Sequence, residues 1–170
     1  MNLQDDDFEL FGLEKQFAQD REELDACWKG LQRQAHPDKF AAQGAAAQRI
    51  AMQWSVRINE AYQRLKDPIK RAAYLCELAG HPVNAQTNTA MPTAFLMQQM
   101  EWRETLDEVR NDPAGLDQLY IQVEKTRKDV LQDVEVAIDD QQNFELAAQK
   151  LRALLFIDKF SIELEEAISA

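Results

Sequence analysis

His36 and Asp38 flank Pro37. An imidazole and a carboxylate one residue apart could move protons in a hydrolytic centre. Proline fixes its own φ and pushes His36 out of the α region, so both groups ride on one rigid surface corner. No nucleophile, metal-ligand set or phosphate-cradling glycine loop stands nearby to complete a reaction centre. The corner therefore reads as a charged tip for recognition and not as a catalytic centre. Cys27 and Cys76 are far apart and outside any Cys-x-x-Cys pair, so they read as buried free thiols, with neither a disulfide nor a metal site.

Two helices must hold that corner. The first, over 20–35, opens on Asp20-Arg21-Glu22-Glu23, a capping-box pattern. Its apolar positions Leu24, Cys27, Trp28, Leu31 and Ala35 recur at steps of three and four and form one buried stripe, which turns Lys29 and Arg33 to water. The second, over 45–65, buries Ile50, Trp54, Ile58, Ala61, Tyr62 and Leu65 by the same spacing, and Asp67-Pro68 ends it. A third, over 69–79, carries Ala72, Ala73, Leu75, Cys76 and Leu78. Ahead of them Phe8, Leu10, Phe11 and Leu13 make a short apolar helix with Gly12 as terminator.

At 170 residues and 45% hydrophobic, the chain suits one or two small domains with real cores. The apolar run 151–157 is interrupted by Arg152 and falls far short of a bilayer span. The first seven residues carry Asp5, Asp6 and Asp7 where a targeting peptide would be basic, which implies a cytoplasmic location. Residues 1–80 hold 11 basic and 13 acidic side chains, and residues 81–170 hold 8 and 17. The strongly acidic second half would be repelled by phosphate, so nucleic acid is excluded as the main partner. Gly80-His81-Pro82 and the polar stretch 84–89 mark a boundary between domains at 1–80 and 81–170.

The second half predicts three antiparallel helices, over 93–111, 113–138 and 143–168, punctuated by Pro92, Asp112-Pro113, Asp139-Asp140 and Asn143. The fold class is thus all-α, a helical hairpin followed by a three-helix bundle. At ~100° per residue, Phe95, Trp102, Leu106 and Val109 fall within roughly 60° of arc and make a core stripe. Leu96, Met97 and Met100 lie on another side, continued by Glu101, Glu104 and Glu108. In the last helix Phe144, Ala148, Leu151, Leu155 and Ile162 align, while Phe156 and Phe160 point elsewhere. An apolar patch rimmed by carboxylates is a candidate partner site, or the seam of a self-associating helical dimer.

The tip His36-Pro37-Asp38, taken with Ile58-Asn59-Glu60-Ala61-Tyr62-Gln63-Arg64-Leu65, Asp67-Pro68 and Arg71-Ala72-Ala73-Tyr74, resembles the J-domain over residues 6–76. That resemblance implies a loop that stimulates ATP hydrolysis by a DnaK-class chaperone, with Lys29 and Arg33 as its basic flank. The Gly/Phe-rich segment and Cys-x-x-Cys zinc module of generalist DnaJ proteins are missing, which implies a specific client. The pattern Thr93-Ala94-Phe95-Leu96-Met97-Gln98-Gln99-Met100-Glu101-Trp102-Arg103-Glu104, followed by Leu151-Arg152-Ala153-Leu154-Leu155-Phe156, resembles the HscB family of iron–sulfur cluster biogenesis.

This second resemblance covers nearly the whole chain. It implies an HscA-like chaperone as one partner and an IscU-type scaffold protein as the other. The scaffold would be bound through Leu96, Met97, Met100, Glu101, Glu104, Glu108 and Phe156, with no cofactor and no metal. Trp102 stands where the bacterial pattern commonly has leucine, and its place on the core stripe makes that a change of packing. The N-terminal cysteine zinc module of some eukaryotic members has no counterpart in these residues.

Overall fold

A computed structural model describes residues 2–84 and 90–170. Among them the chain is all helical, without a strand, and it divides into two compact units, Met1–Leu75 and Cys76–Ala170. Of the expected linker, residues 85–89 lie outside the described residues.

In the first unit, α1 (Asp7–Phe11) starts where the Asp6 carboxylate accepts the Glu9 amide and stops at Gly12, whose φ of 66° needs a residue without a Cβ. Asp20 caps α2 (Arg21–Ala35), accepting from the amides of Glu22 and Glu23. A 3-10 turn over Pro37–Gln43 follows, then Gly44 at φ 98°, then α3 (Ala45–Lys66). Helix α4 (Pro68–Leu78) begins with Asp67 accepting from the amides of Ile69 and Lys70.

The α2–α3 hairpin is held by Trp28 stacked on Tyr62, ring centroids 4.5 Å apart, with the indole N–H donating to Asn59 at 3.1 Å. Phe8, Leu24, Ile58 and Leu65 are fully enclosed in the core of this unit. The expected stripes need correction at their ends. Ile50 is 57% exposed and Leu78 44% exposed, Trp54 and Trp28 are half-buried, and Cys27 is half-buried where a buried thiol was expected. Ile50 lies toward the start of α3, where the facing wall is the 3-10 turn, and that wall is thinner than a helix.

In the second unit, α5 (Thr93–Val109), α6 (Pro113–Glu135) and α7 (Phe144–Ser169) form the predicted bundle. A π-helical turn over Val136–Asp140 extends α6, and Asn143 caps α7 by accepting the Leu146 amide. Trp102 and Leu106 of α5 enter the core as expected. The stripe on α7 is rotated from the expected one: Leu155 and Ile162 are exposed, whereas Leu154, Ile157, Phe160 and Leu164 are buried. This helix has apolar side chains on most of its circumference, so spacing alone did not fix which arc turns inward.

Candidate functional site

The tip is built by the end of α2. His36 leaves the helix in an extended conformation, φ −63° and ψ 128°, as the residue before a proline must. Its carbonyl accepts the Lys39 amide at 3.0 Å and its Nδ1 accepts the Asp38 amide at 3.2 Å, so the side chain caps the 3-10 turn that follows. With Nδ1 accepting a backbone N–H, the neutral ring carries its proton on Nε2, on the edge away from the turn. The Asp38 carboxylate lies 3.6 Å from Nδ1 and is 91% exposed. The tip therefore presents a hydrogen-bond donor and an exposed carboxylate two residues apart on one turn. Lys29 and Arg33 are exposed one helical turn apart on α2, leading to the tip.

The second candidate surface lies on the bundle. Leu96, Met97 and Met100 are 44%, 62% and 67% exposed, and Glu101, Glu104 and Glu108 are exposed beside them. Phe156, on α7, is 41% exposed. Two contacts fix how α5 and α7 align: Arg103 Nη1 meets Glu163 at 3.1 Å, and Arg152 Nη1 donates to the Ala90 carbonyl at 2.9 Å. The two stretches thus run side by side in the same direction. Leu96 sits two turns before Arg103 and Phe156 two turns before Glu163, so that register sets them abreast. Leu96, Met97 and Met100 share one exposed side of α5 with Glu101, Glu104 and Glu108, and Phe156 is exposed on α7.

No group of His, Cys, Asp or Glu among the described residues is arranged to hold a metal ion. None of their helices is long and apolar enough to cross a membrane.

Residues 91–165 match the family model described as the HSCB C-terminal oligomerisation domain. A co-chaperone protein HscB homolog of Bordetella pertussis is 45% identical over 96% of both chains. The chain belongs to the HscB co-chaperone family. A homolog named in the same words from Azoarcus is 41% identical across the whole of this chain and 97% of its own. Chaperone HscB from Vibrio cholerae, at 36% identity, covers 95% of this chain and 96% of that one with a TM-score of 0.77. Human co-chaperone protein HscB is 26% identical, with a TM-score of 0.84 over 98% of this chain and 83% of its own. As an HscB-family protein the chain is a co-chaperone, a non-catalytic role exercised together with a chaperone. The role known for the family is to stimulate that chaperone's ATPase and to deliver an iron–sulfur scaffold to it.

Three positioning features of this HscB-family chain had no clear signal in the sequence. Asp7 is wholly buried, paired with Arg64 at 2.6 Å and Arg57 at 2.8 Å, and its amide donates to the Tyr74 hydroxyl. Arg71, buried against the Phe17 ring, donates to the carbonyls of Phe17 and Leu65, both at 2.6 Å. Arg152, 6% exposed, donates to the carbonyls of Pro82, Val83 and Ala90. A hydropathy wheel counts such residues as surface. The only hint was the placing of Arg152 inside an otherwise apolar run.

Proposed function

We propose that residues 1–80 act as a J-domain toward an HscA-like chaperone, and that residues 81–170 carry an IscU-type scaffold to it. His36, Pro37 and Asp38 form the trigger, flanked by Lys29 and Arg33. Leu96, Met97, Met100, Glu101, Glu104, Glu108 and Phe156 form the scaffold surface. The observation that carries this reading is the exposure of large apolar side chains on α5 in a helix whose opposite face is fully buried. Folding does not need those side chains outside, and a partner does. Joining the two surfaces in one chain raises the effective concentration of scaffold near the ATPase, which couples hydrolysis to capture. The setting is the cytoplasm, and the protein itself turns over no ATP.

Single-turnover ATP hydrolysis by the chaperone, measured with and without scaffold, tests the reading. This protein alone should show no hydrolysis, each partner should raise the chaperone's rate, and both together should act synergistically. His36→Gln should abolish the stimulation while leaving helicity and scaffold binding intact. Stimulation that survives that change would remove the trigger from the tip.

A further inference from the structure

The sulfur atoms of this chain are unevenly placed. Its sequence holds five methionines and two cysteines. Cys76 is buried and Cys27 half-buried, and burial raises both thiols, so neither offers much thiolate at neutral pH. Met91 is half-buried, and Met52 stands 54% exposed on α3. Met97 and Met100, 62% and 67% exposed, are the most open of the sulfur-bearing side chains described, and both lie on the candidate scaffold surface of α5.

A thioether needs no deprotonation to act as a nucleophile, so exposure decides which methionine meets an oxidant first. A sulfur lone pair attacks one oxygen of hydrogen peroxide, and the S–O bond forms as the O–O bond breaks. The second oxygen leaves as water, taking the proton from the first. One peroxide is thus reduced to water for each thioether oxidised to a sulfoxide. The product carries a polar S=O group where a flexible apolar side chain stood, a change that disrupts Met-rich interfaces.

The neighbours sharpen that effect here. Met97 and Glu101 are four apart on the helix, as are Met100 and Glu104, so each sulfoxide oxygen sits beside a carboxylate. Both groups accept hydrogen bonds and neither donates. A partner surface shaped for apolar side chains then meets acceptors for which it holds no donors.

We propose that Met97 and Met100 form an oxidative modification site, whose sulfoxides release the scaffold while the tip keeps its action on the chaperone. The proposal rests on the reading that this face of α5 binds the scaffold. It adds the class of reagent, a peroxide, that turns the binding off. The tip His36-Pro37-Asp38 contains no sulfur and is untouched by the same reagent.

The test uses the full chain carrying Met52→Leu, which removes the exposed thioether of the first unit. The protein is treated with hydrogen peroxide, cleared of it by catalase and reduced with dithiothreitol, which restores thiols and leaves sulfoxides in place. Only then is it mixed with scaffold or chaperone. Peptide mass spectrometry should find one added oxygen at Met97 and at Met100 before Met91. Scaffold affinity, read by calorimetry, should fall at least about tenfold, and stimulation of the chaperone without scaffold should stay where it was before treatment. Methionine sulfoxide reductases should restore the affinity. Adding Met97→Leu and Met100→Leu sets a new starting affinity, and peroxide should leave that affinity unmoved. A loss that persists in this variant overturns the proposal, as do sulfoxides at both positions with undiminished affinity, or a failure of either residue to oxidise ahead of Met91. If replacing Leu96, Met97 and Met100 by Ala leaves affinity unchanged, the scaffold surface itself is misplaced and the site falls with it. A weakened alanine variant beside a peroxide-insensitive parent overturns the site alone.

Discussion

Trp102 and Phe160 lie face to face across α5 and α7, ring centroids 5.7 Å apart and planes 25° from parallel, with Phe95 edge-on to the indole at 6.3 Å. Both are buried. Trp102→Ala should therefore cost about 3–5 kcal/mol, the transfer of a large ring plus the cavity it leaves. Denaturant unfolding followed by helicity measures it. A loss below ~1 kcal/mol would mean the bundle closes without this stack.

Opposite that stack, removing side chains should cost almost nothing in stability. Replacing Leu96, Met97 and Met100 together by Ala removes apolar groups that are 44–67% exposed, and alanine is itself a strong helix former. Scaffold binding should fall at least tenfold, since central interface residues are worth ~2 kcal/mol or more each, though not additively. Calorimetry with the scaffold, run beside a thermal melt, reads both quantities. Undiminished affinity, or a large loss of melting temperature, would reassign these residues to the core.

Asp7 is the only acid among the buried charged side chains described, held between Arg57 and Arg64. Asp7→Ala takes the carboxylate away from two arginines that keep other contacts, Arg57 with the Asp5 carbonyl and Arg64 over the Tyr74 ring, so the cost should be about 1–3 kcal/mol. The loss should appear in the unfolding of the first unit, seen through Trp28. The change should leave scaffold affinity where it was.

Burial pushes the Cys76 thiol up to about 11, with Arg152 acting in the other direction, and its S–H donates to the Phe144 carbonyl at 3.7 Å. The folded state keeps this proton when an unfolded chain has released its own. Stability is therefore complete below the ordinary thiol pKa of 9.0 and declines as pH climbs from there toward about 11. Cys76→Ala should flatten that part of the stability–pH curve. Burial and the nearby Glu23 also raise the Cys27 thiol, but its side chain is only half-buried, so an alkylating reagent should label Cys27 well before Cys76.

Lys29 and Arg33 sit exposed on α2 and are expected to steer the chaperone toward the tip. Lys29→Ala with Arg33→Ala should slow association at low salt and flatten its dependence on ionic strength, with little effect on dissociation. Stopped-flow mixing over a salt series shows which rate moves.

The hairpin and the tip were legible because their signals are local: a capping aspartate at Asp20, a proline after His36, a glycine after Phe11, and apolar residues at helical spacing between them. The exposed strip on α5 was legible for the same reason, since Phe95, Trp102 and Leu106 define the inner arc unambiguously and push Leu96, Met97 and Met100 off it. On α7 the method failed, because Leu154, Leu155, Phe156 and Ile157 are consecutive and apolar in every direction. Only packing against Trp102 selects Phe160 over Ile162. Ile50 shows a second limit, since periodicity says which arc faces a neighbour and not whether the neighbour reaches it. The buried charges Asp7, Arg71 and Arg152 were invisible, because their partners are backbone carbonyls or residues fifty or more positions away.

The π-helical turn at Val136–Asp140 contains one residue more than an α-helical turn needs, with the Gln141 amide reaching back five residues to the Val136 carbonyl at 3.0 Å. A one-residue deletion inside Pro113–Glu135 would rotate everything after it by about 100° and turn Val134 out of the core. The same deletion within the π turn could instead be absorbed by ordinary four-residue hydrogen bonding, with α7 kept in phase. Length variation among related chains should thus collect at this turn, where the extra residue records an insertion the bundle can accept or give up without rebuilding its interior.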